Sequence, residues 1–161
     1  MNVRQQIAMS PAETAAYLAA GRTIVLVTMG ADGLPDPVPM WYVVDADGRV
    51  RMRTYAKSLK VANLRRDPRV SCLVEDGDRY FELRGVQLTG RIEVVEDPDW
   101  IADLIVALAT KYEGLEPAHA EAVRDSARNR AAKLVGLLLH VDHTVSWDHG
   151  KLAAGSRGYS G

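Results

Sequence analysis

Between strand and helix in the middle of the chain lies Arg53-Thr-Tyr-Ala-Lys-Ser-Leu-Lys-Val-Ala-Asn-Leu-Arg-Arg-Asp-Pro-Arg-Val-Ser71. Thr54, Lys57, Ser58 and Lys60 place two hydroxyls and two ammonium groups within seven residues, at a point where a helix should begin. The first amides of a helix lack intrahelical acceptors and sit at the positive end of its dipole, so such a junction suits a phosphate group. The same residues also suit an ordinary capped surface helix whose lysines face water. Residue types alone leave both readings open.

Other reactive residues carry less. His140, Asp142, His143 and His149 invite a metal. On a regular strand, however, His140 and Asp142 face one side and His143 the other, so no metal site is expected. The single cysteine, Cys72, sits in Arg69-Val-Ser-Cys-Leu-Val74 and reads as a small buried hydrophobe, with no disulfide available to it. The chain has no dinucleotide-binding glycine fingerprint after a strand, no phosphate-binding P-loop and no nucleophile elbow.

These residues need elements to position them. Ser10-Pro11-Ala12-Glu13 is a capping box that starts a helix running to about Ala20 and stopping at Gly21. Thr23–Met29 is short and β-branched, hence a buried strand. A second strand runs from about Val38 to Val44, after Pro35 and Pro37. Asp47-Gly48 turns the chain into a third, 49–55, in which Val50, Met52 and Thr54 share one face and Arg49, Arg51 and Arg53 the other. A short helix, 58–66, ends at Asp67-Pro68. Strands at 69–75 and 80–95 form a hairpin. In the longer one the apolar parity slips between Phe81, Leu83 and Val86, Leu88, so a bulge is expected within a residue or two of Gly85. Helices at 98–113 and from Pro117 to about Lys133 precede a last strand, 134–146, and a Gly/Ser-rich tail from Ala153 reads as mobile.

The expected fold is therefore α+β, mainly β: a split β-barrel of six or so mostly antiparallel strands, Greek-key-like, with peripheral helices. At 161 residues it is a single domain, 1–161, with its core at about 10–152. A formal net charge of -1 gives no reason to expect nucleic acid or an anionic membrane as partner. No apolar run approaches the ~20 residues of a membrane span, and no secretory leader is evident, so the chain reads as soluble and cytoplasmic.

The segment Thr54…Lys57-Ser58-x-Lys60-x-x-Asn63-Leu64-Arg65-Arg66-Asp67-Pro68-Arg69-Val70-Ser71 resembles the hallmark of the pyridoxamine 5'-phosphate oxidase-like split barrels. Val38-Pro-Met-Trp-Tyr42, Glu75-Asp-Gly-Asp78, Leu83-Arg-Gly-Val86 and Ser146-Trp-Asp-His149 follow in matching order, so the similarity spans roughly 12–152. It is closest to the actinobacterial branch that uses coenzyme F-420, an 8-hydroxy-5-deazaflavin. Genuine pyridoxamine phosphate oxidases have a Gln where this chain has Gly85, which argues against that activity.

The resemblance implies a flavin-type cofactor, coenzyme F-420 first and FMN as alternative, and hydride transfer to a small unsaturated or quinone-like substrate. A non-catalytic cofactor- or haem-binding barrel, with a role for His140, His143 or His149, is a further alternative. Lys60 and Ser58 would hold the phosphate with Thr54 and Lys57 in support, while Pro39, Met40 and Trp41 would line the ring. The family's homodimer would bring Trp147 and residues near Tyr80 from the partner. Tyr42 and Tyr80 are proton-donor candidates. Arg84 and Arg91 are candidates for further cofactor contacts, and Lys57, Arg65 and Arg66 for a basic path along a polyglutamate tail.

Overall fold

The computed structural model describes residues 2–152; the tail from Ala153 lies outside the described residues. A five-residue helix α1 (Val3–Ile7), capped by Asn2, leads to α2 (Pro11–Ala20). The expected capping box closes reciprocally: Glu13 N donates to Ser10 Oγ at 3.2 Å, and Ser10 N donates to Glu13 Oε2 at 2.6 Å. Helix α2 stops at Gly21, where a Cβ would stand 2.4 Å from the Tyr42 hydroxyl; a close approach, not a positive φ, demands the glycine.

Seven strands follow: β1 (Ile24–Met29), β2 (Pro35–Met40), β3 (Val43–Val44), β4 (Val50–Tyr55), β5 (Arg69–Asp76), β6 (Arg84–Val95) and β7 (Leu134–Asp148). All pairings are antiparallel, in the order β2-β1-β5-β6-β7-β4-β3. The expected second strand is thus two, split at Trp41-Tyr42. Its halves form opposite edges of the sheet, so the sheet curls back on itself and its seam lies at those two residues. This is the split-barrel architecture. Pro35, Pro37 and Pro39 lie within β2, at alternate positions of an edge strand, where the missing N–H faces away from the ladder.

Helix α3 (Leu59–Arg66) plugs the barrel end with Val61 and Leu64, joining a core of Ile24, Leu26, Met52, Leu137 and Leu139. Asn63, fully buried, donates to Thr28 Oγ1 at 3.0 Å. Helix α4 (Pro98–Glu113) packs on the outer face of β3 and β4 through Leu104 and Leu108, and α5 (Ala120–Arg130) lies against α4. No helix among the described residues is long and apolar enough to cross a membrane.

The bulge is not at Gly85. Gly85 pairs in an unbroken ladder with Glu75 on one side and Trp147 on the other. Tyr80–Glu82 is a 3-10 turn outside the strand, so Phe81 belongs to no parity. From Val86 to Ile92 the even positions are buried without interruption. The register shift lies at Thr89/Gly90, where Thr89 opposes His143 and Gly90 opposes Val141, leaving Asp142 as the extra residue. The bulge also puts His140 and His143 on one face, opposite Arg91 and Thr89, correcting the parity expected of a regular strand. His140 is engaged by Glu93 at 2.7 Å, and no group of three His, Cys, Asp or Glu among the described residues could hold a metal.

Cys72 is fully buried, and desolvation pushes its thiol up to about 12. The folded protein at pH 8 should resist a thiol-labelling reagent, with labelling appearing only at the denaturant concentration that unfolds it. Rapid labelling in buffer would contradict this placement.

Candidate functional site

The alternation of β4 sends Val50, Met52 and Thr54 inward and leaves Arg51, Arg53 and Tyr55 on the other face. Beyond Tyr55 a tight turn, with Ser58 N donating to Tyr55 O at 3.0 Å, brings the start of α3 back over Thr54. Lys60 Nζ donates to Thr54 Oγ1 at 3.3 Å, and Thr54 Oγ1 donates to Ser58 Oγ at 3.4 Å. Ser58 is the N-cap residue, yet its hydroxyl makes no capping bond, and no backbone acceptor takes the amides of Leu59 and Lys60. An ammonium, two hydroxyls and two free amides therefore converge with no carboxylate among them. That donor set fits a phosphate. Lys57 is exposed and makes no bond to the cluster.

Around the end of β4 a cleft of about 320 Å³ is lined by Pro39, Met40, Trp41, Arg53, Thr54, Tyr55 and Leu108. Three of these are the seam residues expected to line a ring system, and Thr54 belongs to both the cleft and the phosphate-type cluster. Trp41 is held there from α4. Its ring stacks on Tyr112 with centroids 4.4 Å apart at 6°. The Tyr112 hydroxyl donates to Arg22 O at 2.7 Å or Tyr42 O at 2.8 Å and accepts from Tyr42 N at 3.0 Å. Lys111 Nζ donates to Gly21 O at 2.6 Å and lies 4.2 Å from the Tyr42 ring centre; burial, with Arg22 nearby, holds its amine below the usual value.

Several expected residues are elsewhere. Tyr42 is fully buried, its hydroxyl donates to Leu18 O, and burial drives its pKa far above the usual phenol value, so it is no proton donor for the cleft. Arg65 is tied to Glu96 at 2.6 Å, and Arg66 bonds Met29 O and Asn63 Oδ1, so neither is free for a tail path. Arg84 is paired with Asp76 at 3.0 Å; Arg91 is exposed on β6. Val135 pairs with Thr54, and Trp147 lies twelve residues further along β7, up to ~40 Å away at strand rise. Trp147 instead covers Gly85, where a Cβ would meet its ring at 2.2 Å.

Arg53, Tyr55 and Leu108 were not singled out from sequence as site residues. The first two flank Thr54 within the hallmark segment, so strand alternation was the available signal. Nothing local marks Leu108 or Tyr112. A larger cleft of about 710 Å³ lies between α2 and the ends of β5, β6 and β7. Its lining sets Glu13, Glu75, Asp76 and Asp148 against Arg22 and Arg84, with Arg84 paired to Asp76 at 3.0 Å and Glu13 to Lys151 at 2.7 Å, so it offers an anion no concentration of free donors like that of the β4 cluster.

Comparisons with known proteins bear on the family and the fold. The family model described as pyridoxamine 5'-phosphate oxidase matches residues 10–141. The conserved hypothetical protein Rv2991 from Mycobacterium tuberculosis is 43% identical, with 93% of this chain and 91% of that one covered and a TM-score of 0.85. An F420 reductase (23% identity, 80% and 93% covered, TM-score 0.61) shares the fold. So does the heme storage protein HutZ from Vibrio cholerae (16%, 87% and 97%, TM-score 0.64). No curated protein matches the chain. With the family match spanning most of its length and the split barrel on which that match rests, the chain belongs to the pyridoxamine 5'-phosphate oxidase family.

Proposed function

We propose that this chain is an oxidoreductase that uses coenzyme F-420 to reduce a small unsaturated or quinone-like compound. The observation that carries the reading is the meeting, at the end of β4, of the Thr54–Ser58–Lys60 cluster with the cleft along Pro39, Met40 and Trp41. One half suits a phosphate and the other an extended ring. Bound there, the reduced deazaflavin would supply a hydride to an electrophilic conjugated acceptor, and the resulting anion would take its proton from solvent. Lys60, Ser58 and Thr54 hold the phosphate. The seam backbone orients the ring edge, and the Trp41–Tyr112 stack walls off water on the α4 side. The fold shared with an F420 reductase supports the deazaflavin.

FMN presents the same phosphate and is the second reading. Titration of the apo-protein with coenzyme F-420 and with FMN, side by side, separates them: tighter binding of the deazaflavin is expected, tighter FMN binding moves the protein to the flavin branch, and binding of neither removes the proposal. Among the described residues no histidine lines the cleft, and His140 is held by Glu93.

The reading includes a second copy. Trp147 and the exposed Tyr80, edge-on to His149 at 4.7 Å, reach the cofactor only from a partner. The stretch of β7 from His140 to Val145 is exposed, with Val141 at 45% and Val145 at 57%, which suits an interface. Sedimentation equilibrium should give twice the 17.6 kDa chain mass. A monomer at the concentrations where cofactor binds would rule out a two-subunit site.

A further inference from the structure

The outer face of β4 and the residue before it carry three arginines, of which Arg49 and Arg51 are neutralised. Asp45 Oδ2 accepts from Arg49 Nε at 3.1 Å and from Arg51 Nε at 2.7 Å, while its Oδ1 accepts the Asp47 and Arg49 amides at 2.9 Å each. That carboxylate has no capacity left for a third guanidinium. Arg49 also reaches Asp47, and Arg51 lies over the Trp100 ring at 5.2 Å. Among the described residues Arg53 has no carboxylate partner. Its cross-strand neighbour is Gly136, which offers no side chain to pair with it.

Arg53 is also the one charged side chain in the lining of the β4 cleft, among Trp41, Tyr55 and Leu108. Because strand neighbours point to opposite faces, Arg53 projects away from Thr54 and hence from the hydroxyl that Lys60 and Ser58 share. The two cationic groups serve different faces of one strand end. A guanidinium in a mostly apolar cleft is a bidentate receptor for a carboxylate.

We infer that the Arg53 side of the cleft, beside the stretch along Pro39 and Met40 that receives the ring, selects a planar conjugated substrate bearing a carboxylate, with Arg53 as its anchor among Trp41, Tyr55 and Leu108. The inference deepens the proposed function and rests on it. It makes Arg53 a specificity-determining residue separate from the phosphate ligands.

Cinnamate and cinnamamide are matched probes that differ in the charge alone. Each is titrated by calorimetry into apo-protein and into protein saturated with coenzyme F-420. Cinnamate should bind about tenfold tighter or more, the size of one charge-assisted contact. Arg53→Gln should erase the preference, Arg53→Lys should keep part of it, and Lys60→Ala should leave it intact. Arg53→Gln should cost cofactor affinity far less than Lys60→Ala does, since its face is not the phosphate's. Equal affinity for the two probes, binding of neither, or a preference that survives Arg53→Gln overturns the inference. So does displacement of cinnamate by the cofactor, which would assign Arg53 to the cofactor instead. Failure of both F-420 and FMN to bind the wild-type chain is a separate result: it removes the cofactor reading, while the apo-protein titration still decides whether Arg53 receives an anion.

Discussion

Lys60→Ala should weaken coenzyme F-420 binding by roughly ten- to a hundredfold, the cost of about 1.5–3 kcal/mol for losing a charge-assisted contact to phosphate. Lys60 is half-buried, and among the described residues it has no carboxylate partner and bonds only the Thr54 hydroxyl, at 3.3 Å. Its charge is therefore available to a ligand, unlike that of Arg65, which Glu96 neutralises at 2.6 Å. Arg65→Ala is the matched control and should leave affinity nearly unchanged. FMN should also lose affinity in the Lys60 variant, because both cofactors carry a phosphate there and differ in ring and tail. Lys60→Met, which keeps the apolar stem, separates lost charge from lost packing. Wild-type affinity in Lys60→Ala would remove the β4–α3 junction as the phosphate site.

Gly90→Ala should destabilise the fold by about 3 kcal/mol, at the upper end for overpacking, with the urea midpoint falling and the slope unchanged. A Cβ there would stand 2.0 Å from His140 O and 3.0 Å from Val141 Cα. Both obstacles are backbone atoms at the bulge, so no rotamer change relieves the clash; the β6–β7 ladder must move. That ladder joins both halves of the sheet, since β7 also pairs with β4 through Val135 and Thr54. Gly48→Ala is a useful contrast. Its φ is 78° but a Cβ there meets nothing within 4 Å, so only the left-handed backbone is penalised, about 1 kcal/mol. Equal losses in the two variants would mean that the bulge relaxes freely.

Much of this was legible in the linear chain wherever the cause was local. Ser10 and Glu13 are three residues apart and close their capping box by themselves. Strand alternation over 50–55 places Thr54 inward and Arg53 outward without reference to any other element. The run from Thr54 to Lys60 is short enough that one turn brings its donors together. The expected bulge failed for a local reason too: Phe81 is apolar but belongs to a 3-10 turn, and hydrophobic parity cannot mark where a strand begins.

What the chain by itself determined is thus most of the elements, the family they belong to and the run of donor residues at one junction. Tertiary structure alone decided which charges stay free and what walls the cleft. Asp45 engages Arg49 and Arg51 and leaves Arg53; Glu96 takes Arg65 across thirty-one residues. Tyr112 and Leu108 reach the seam from α4, with the Tyr42–Tyr112 bond spanning seventy residues of sequence. The bulge opposite Gly90 exists because two strands of unequal count must share one ladder. Such outcomes depend on which distant groups the closed sheet brings within a few ångströms, and no spacing along the chain encodes that distance.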